Sequence, residues 1–227
     1  MDMMKKLVIF DLDGTLLNTI ADLGNACNYA LMKSGFAGHP ASAYNYMVGN
    51  GVRKLLERAE PAASPDMIDE MLLKFREYYD EHCTDQTVPY PGIEGMLDDM
   101  VASGISVAVT SNKYQLAVEK IIKYYFPNIP FVAVEGEVAD RPRKPDPSIV
   151  FSVLSKSPCP KKNVLYVGDS AVDMETARRA CIDSVGVTWG FRPASELKAA
   201  CADYIVSSPM EILDIALGRY NPSSISN

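Results

Sequence analysis

Two carboxylates one residue apart, Asp11 and Asp13, stand where an unbroken apolar run, Leu7 to Phe10, gives way to Gly14 and Thr15. The run is short and shows no polar alternation, which predicts a fully buried strand. On a strand leaving a parallel sheet the acid pair lands at the carboxyl edge, where open α/β sheets hold ligands. Acids held so close repel each other unless a cation or a shared proton relieves them. Three further segments carry similar chemistry. Thr110-Ser111-Asn112-Lys113 follows the apolar run Ile105–Val109, and Arg143-Lys144-Pro145-Asp146-Pro147 is a loop stiffened by its prolines. Gly168-Asp169-Ser170-Ala171-Val172-Asp173 follows the run Val164–Val167. Parallel strands share one carboxyl edge, so the segments can converge there and bring the carboxylates of Asp11, Asp13, Asp169 and Asp173, the Lys144 ammonium and two or three hydroxyls together. That set suits phosphoryl transfer. Hard carboxylate oxygens without His or Cys favour Mg²⁺ over zinc. The cation shields Asp11 from a dianionic phosphate, while lysine and hydroxyl donors neutralise the transferring oxygens. Asp173, four residues after Asp169, faces the same cation from the start of a helix.

The elements that must position these groups are readable from periodicity. Ile20, Leu23, Ala26, Cys27, Ala30 and Leu31 recur at helix spacing, with Asn18 or Thr19 as N-cap. Val52, Leu55, Leu56 and Ala59 repeat the period, as do Met67, Ile68, Met71, Leu72 and Phe75. Residues 17–83 therefore read as a helical insertion. Beyond Pro89-Tyr90-Pro91-Gly92, strands alternate with helices: strands near Ile105–Val109, Phe131–Val134, Val164–Val167, Ser184–Val187 and Tyr204–Val206, and helices near Gln115–Tyr125, Pro147–Ser155, Val172–Cys181 and Met210–Gly218. Alternation of this kind implies βαβ units and a parallel sheet. The expected fold is α/β, a Rossmann-like three-layer core of residues 1–16 and 84–220, with an inserted α-helical cap over 17–83 and a frayed Ser/Asn-rich tail over 221–227. The joints near Leu16–Asn18 and Asp85–Pro89 are the expected hinges.

Composition bounds the partners. The 227 residues are 48% hydrophobic and 22% charged, with a net charge of −7 and no basic run, which argues against nucleic acid or an anionic membrane. No apolar stretch approaches the roughly 18 residues of a membrane span, and the Leu7–Phe10 run is too short and wrongly flanked to read as a signal peptide, so neither is expected. Five cysteines without a C-x-x-C pair suit reduced thiols in a cytoplasm.

The four segments, in order and at strand ends, resemble the signature motifs of the haloacid dehalogenase-like superfamily, and specifically its aspartyl-nucleophile phosphatases. Met47-Val48-Gly49-Asn50-Gly51 and the Gly168–Asp173 stretch are most similar to the phosphoglycolate phosphatase-like subfamily, and the likeness covers nearly the whole chain. The resemblance implies that Asp11 attacks phosphorus to form an aspartyl-phosphate, and that Asp13 protonates the leaving oxygen and later deprotonates water. It implies that Thr110 donates to a phosphoryl oxygen, with Ser111 as the alternative if the loop register differs. Asn112 is a second donor or substrate contact, and Lys144 bridges Asp11 and the phosphoryl group. Mg²⁺ would be held by Asp11, the Asp13 main-chain carbonyl and Asp169, with Asp173 direct or through water. An acid at position 13 disfavours dehalogenation. The cap would close over the crevice and select the leaving group, with Gly49, Asn50 and Gly51 approaching the ester and Arg53 meeting a second anionic group.

The expected activity is Mg²⁺-dependent hydrolysis of a small phosphorylated metabolite by a monomer or homodimer. Inorganic pyrophosphatase and a β-phosphoglucomutase-like mutase stay open, because both can use the same catalytic residues. A phospho-acceptor domain or a phosphate-binding protein is the reading outside enzymology. The first is opposed by the acid pair on the opening strand and the long helical insertion, the second by the presence of Asp11, Asp13 and Lys144 together. Taken singly, Asp11 and Asp13 would be a turn, Asp169 a helix cap and Lys144 a solvated loop lysine; their common register sets those readings aside. The separated His39 and His82 are not expected ligands, Tyr78-Tyr79 and Tyr124-Tyr125 read as helix packing, Met67 and Met71 as a core stripe, and Cys181 and Cys201 as buried small hydrophobes.

Overall fold

The computed structural model describes residues 4–221; the tail expected to fray from 221 lies, beyond that residue, outside the described residues. Strand β1 (Leu7–Phe10) leads through a two-residue strand β2 (Leu17–Asn18) into helices α1 (Ile20–Lys33), α2 (Val52–Ala59) and α3 (Pro65–His82), then into β3 (Val88–Pro89). After α4 (Ile93–Ala102) the chain alternates: β4 (Ser106–Tyr114), α5 (Gln115–Tyr125), β5 (Ala133–Glu137), α6 (Ser148–Lys156), β6 (Val164–Gly168), α7 (Ala171–Ala180), β7 (Asp183–Val187), α8 (Ala194–Ala199), β8 (Tyr204–Val206) and α9 (Pro209–Ala216).

Six strands form one sheet in the order β5-β4-β1-β6-β7-β8, and every pairing in it is parallel. All four residues of β1 are buried, as a central parallel strand covered on both faces requires. Its pleat sends Val8 and Phe10 into one apolar cluster with α4, α5 and α9, and Leu7 and Ile9 into another with α6 and α7. Those two clusters make the three layers. Strand order reverses between β1 and β6, the switch point at which doubly wound sheets bind ligands. Asp11 and Asp169 follow these two strands.

Several elements differ from expectation. Helix α4 was not anticipated, although Ile93, Met96, Leu97 and Met100 have helical spacing and are fully buried. The six-residue α8 buries only Leu197, too little for a periodic signal. Strand β4 runs on to Tyr114 instead of stopping at Val109, with its pairing to β5 shifting register after Thr110. β2 and β3 pair antiparallel at the joints expected to be hinges. Buried Asp22 ties this joint down, accepting from the Gln86 and Thr87 main-chain amides and the Thr87 hydroxyl at 2.8–3.0 Å. Met71 is buried in the α3 stripe, but Met67 is 38% exposed, and Cys181 and Cys201 are exposed at helix ends in the left-handed region instead of buried. No helix among the described residues is long and apolar enough to cross a membrane.

Candidate active site

The turn after β1 is fixed by its backbone: the Asp11 amide donates to the Val167 carbonyl at 2.8 Å and the Leu12 amide to Asp11 Oδ1 at 2.7 Å. Lys144 reaches the turn from the proline-rich loop. Its ammonium stands 2.8 Å from Asp11 Oδ1, 2.8 Å from Asp173 Oδ1 and 3.4 Å from the Thr110 carbonyl. Asp173 is wholly buried and also caps α7, accepting from the Ser170 hydroxyl at 2.6 Å and amide at 3.2 Å. Asp169 accepts from the Phe191 amide at 2.7 Å. Gly14, at φ +89°, lets the two loops meet: a β-carbon there would fall 2.3 Å from Asp169 Oδ2.

Asp11, Asp169 and Asp173 each offer a carboxylate oxygen, all within 4.8 Å of one another. Burial, then repulsion from Asp173, pushes Asp11 up to about 7 against the pull of Lys144. Burial, then repulsion from Asp173 and Asp11, holds Asp169 well above the usual carboxylate range. Burial alone would lower Lys144, but Asp11 and Asp173 outweigh it and hold it above the ordinary lysine range. One ammonium is too little positive charge for three buried acids. An all-oxygen donor set in that condition fits a hard divalent cation.

Asp13 keeps its carboxylate out of this cluster. Its Oδ1 accepts from the Thr19 hydroxyl at 2.6 Å and faces Lys113 Nζ at 2.9 Å; its Oδ2 faces the Ser111 hydroxyl at 3.5 Å. Ser111 lines the crevice with Asp11, Asp13 and Lys144. Thr110, expected as the phosphoryl donor, does not: it is fully buried, and its hydroxyl bonds Tyr166 at 2.8 Å within the opposite cluster. Alternation along β4 separates the neighbours. Asn112 is a clamp and not a free donor. Its carbonyl oxygen accepts from the Lys144 amide at 2.9 Å, and its amide nitrogen donates to the Lys144 and Gly49 carbonyls at 3.2 and 3.1 Å.

The helical segment supplies the roof. Gly49 and Gly51 line the crevice with the apolar side chains Leu23, Val48, Val52 and Leu55. Asn50 does not, since its side chain accepts from Arg58 at 2.7 Å, and Arg53 points away to pair with Asp69 on α3. In the sequence Thr19 reads as an N-cap, Lys113 stands in its segment without a role and Tyr79 reads as helix packing, so none of the three is given a place in the site. Lys113 is 4% exposed and donates to the Tyr79 hydroxyl at 2.8 Å, with its ammonium 4.7 Å from that ring's centre. Tyr79 continues the buried Ile68, Met71, Phe75 stripe of α3, and that spacing was the available signal. Arg192 adds a further link, donating to the Asn45 carbonyl and, at 3.0 Å, to that of Val48.

Residues 8–187 match the haloacid dehalogenase-like hydrolases. Among curated relatives, the phosphoglycolate phosphatase of Agrobacterium fabrum is 31% identical over 189 residues, covering 82% of this chain and 81% of its own. That of Vibrio parahaemolyticus is 29% identical over 217 residues, covering 92% and 95%. A solved structure from Lactobacillus delbrueckii subsp. bulgaricus, provisionally assigned as a phosphoglycolate phosphatase, superposes with a TM-score of 0.89 at 30% identity, covering 95% of this chain and all of that one.

Proposed function

Because the chain belongs to the haloacid dehalogenase-like hydrolase family, we propose that it is a phosphatase that hydrolyses phosphoglycolate or a closely similar small phosphomonoester through an aspartyl-phosphate on Asp11. The single observation that carries the reading is the convergence of Asp11, Lys144, Asp169 and Asp173 at one end of the sheet, with Asp13 across the crevice. Asp11 attacks phosphorus as the ester bond breaks, and Asp13 gives its proton to the departing oxygen. Water then attacks the aspartyl-phosphate, Asp13 takes its proton, and inorganic phosphate leaves with Asp11 restored. Thr19 and Lys113 occupy Oδ1 of Asp13, so the proton moves from Oδ2, the oxygen nearer Ser111. Ser111 takes the donor role toward the phosphoryl group, and Lys144 neutralises it while keeping Asp11 in line. Mg²⁺ would be held by Asp11, Asp169 and Asp173 with the Asp13 main-chain carbonyl, and would supply charge that screens nucleophile from phosphate.

In this reading residues 1–16 and 84–220 form the catalytic core, and residues 17–83 act as a cap that closes over the bound ester and excludes water. All five cysteines are free thiols, which suits a reducing cytoplasm. The test is phosphate release from phosphoglycolate, pyrophosphate and sugar phosphates, with Mg²⁺ and with chelator. Mg²⁺-dependent release from phosphoglycolate is expected, abolished by Asp11→Asn with the circular dichroism unchanged. Release that survives Asp11→Asn removes the nucleophile assignment, and a better rate on pyrophosphate or a sugar phosphate removes the substrate.

A further inference from the structure

The crevice needs a group that recognises the leaving half of the substrate, and Arg53, expected there, is paired with Asp69. Other arginines near the roof are also committed. Arg143 pairs with Glu137, Arg58 donates to Met47 and Asn50, and Arg192 donates to Asn45 and Val48. Two cations line the crevice, Lys144 and Lys113. An ammonium has three N–H donors. Those of Lys144 face Asp11, Asp173 and the Thr110 carbonyl. Lys113 has two partners among the described residues, Asp13 at 2.9 Å and the Tyr79 hydroxyl at 2.8 Å. One donor direction is left.

We propose that Lys113 is a specificity-determining residue for that hydrolysis, reading the carboxylate on the carbon next to the ester oxygen of a small α-phosphooxy acid. This rests on the phosphatase reading above and deepens it. The leaving oxygen must meet Oδ2 of Asp13, and Lys113 sits against the other oxygen of that same carboxylate. In an α-phosphooxy acid a carboxylate oxygen lies three bonds from the ester oxygen, roughly 3 Å away. Lys113 is therefore placed beside the leaving oxygen at the reach such an acid requires. Around it the roof is apolar, through Leu23, Val48, Val52 and Leu55. A sugar's hydroxyls would be left unpaired there, whereas a two-carbon acid offers its charge to the cation and little else.

The experiment compares kcat/KM for phosphoglycolate with that for 2-hydroxyethyl phosphate, which replaces the carboxylate by a neutral group of similar size. The wild-type protein is expected to prefer the acid by about 100-fold, the order of loss when one partner of a buried charge pair is removed. In Lys113→Met both rates fall, since Asp13 loses its neighbour, but the preference should collapse to within about 3-fold, mainly through KM for the acid. If Lys113→Met keeps the preference, or if both esters fall equally in a wild type that discriminates, Lys113 does not read the carboxylate. A wild type that cleaves both esters alike overturns the substrate class and Lys113 together while leaving a phosphatase. No release from either ester overturns the phosphatase reading itself. Should Lys113→Met fail to fold, Tyr79→Phe keeps the cation and frees a second donor, so the preference must hold or rise; a loss there overturns the proposal.

Discussion

Thr110 and Ser111 carry the same hydroxyl one residue apart, and the parity of the pleat decides which of them meets the crevice. Ser111→Ala is expected to lower kcat about 100-fold, the usual cost of removing one donor from a site where charge develops. Thr110→Val leaves the Tyr166 hydroxyl without its partner inside the core, and should cost roughly 1–3 kcal/mol of stability with kcat held within a few-fold. Steady-state kinetics and urea denaturation on the pair check both, and an inactive but stable Thr110→Val would reverse the assignment. The sequence showed both hydroxyls and could not rank them, because nothing local fixes parity at the end of a strand that runs past its apolar part. The acids and Lys144 were legible for the opposite reason: each follows an unbroken apolar run or sits between prolines, so its place at the sheet edge comes from the run itself. Arg53 was misplaced because position beside a glycine loop says nothing of the direction in which a helix presents its side chain; Asp69, one helix away, decides it.

Among elements, β5 carries an ion cluster that gives the fold a pH signature away from the crevice. Glu135 is buried and paired with Arg141 at 2.5 Å and Lys156 at 2.7 Å. Burial would raise its carboxyl, but Lys156 and Arg141 prevail and hold it below the ordinary 4.5. A depressed folded-state value stabilises fully above the unfolded one and is lost as pH falls through the depressed value. Glu135→Gln should therefore cost roughly 1–2 kcal/mol at pH 7. That gap should close as the pH drops below 4.5, read by urea melts of the two proteins across the acid range. A gap that persists in acid would mean shape, not charge, matters at this site. Helices with wide apolar faces were readable in outline, and α5 matches its expected bounds. The ribbon of β2 and β3 was not, since two residues per strand carry no period, and its stability comes from Asp22, distant in sequence from the amides it binds.

At the scale of the molecule, one buried cluster runs from Val8 and Phe10 of the sheet through Leu16 and Leu17 to Tyr44, Phe75 and Tyr79 of the helical segment. Phe75→Ala is expected to cost about 3–5 kcal/mol. Because the apolar contact is continuous, calorimetry should show one transition moving down, and a second, earlier transition confined to the helices would disprove that continuity. Sequence texture divided the chain at 17 and 83 and could not show that its two textures share an interior, since periodicity reports which face is apolar and not what covers it. Asp173 shows what such sharing means in evolutionary terms. One carboxylate is helix cap, counter-ion to Lys144 and member of the acid cluster at once. A lineage cannot revise any of those duties without disturbing the others, so the strand ends are locked as an inherited unit. Leu23, Val48, Val52 and Leu55 carry none of those charged duties and only pack, so substitutions of similar volume there can reshape the crevice while the chemistry of the strand ends is kept.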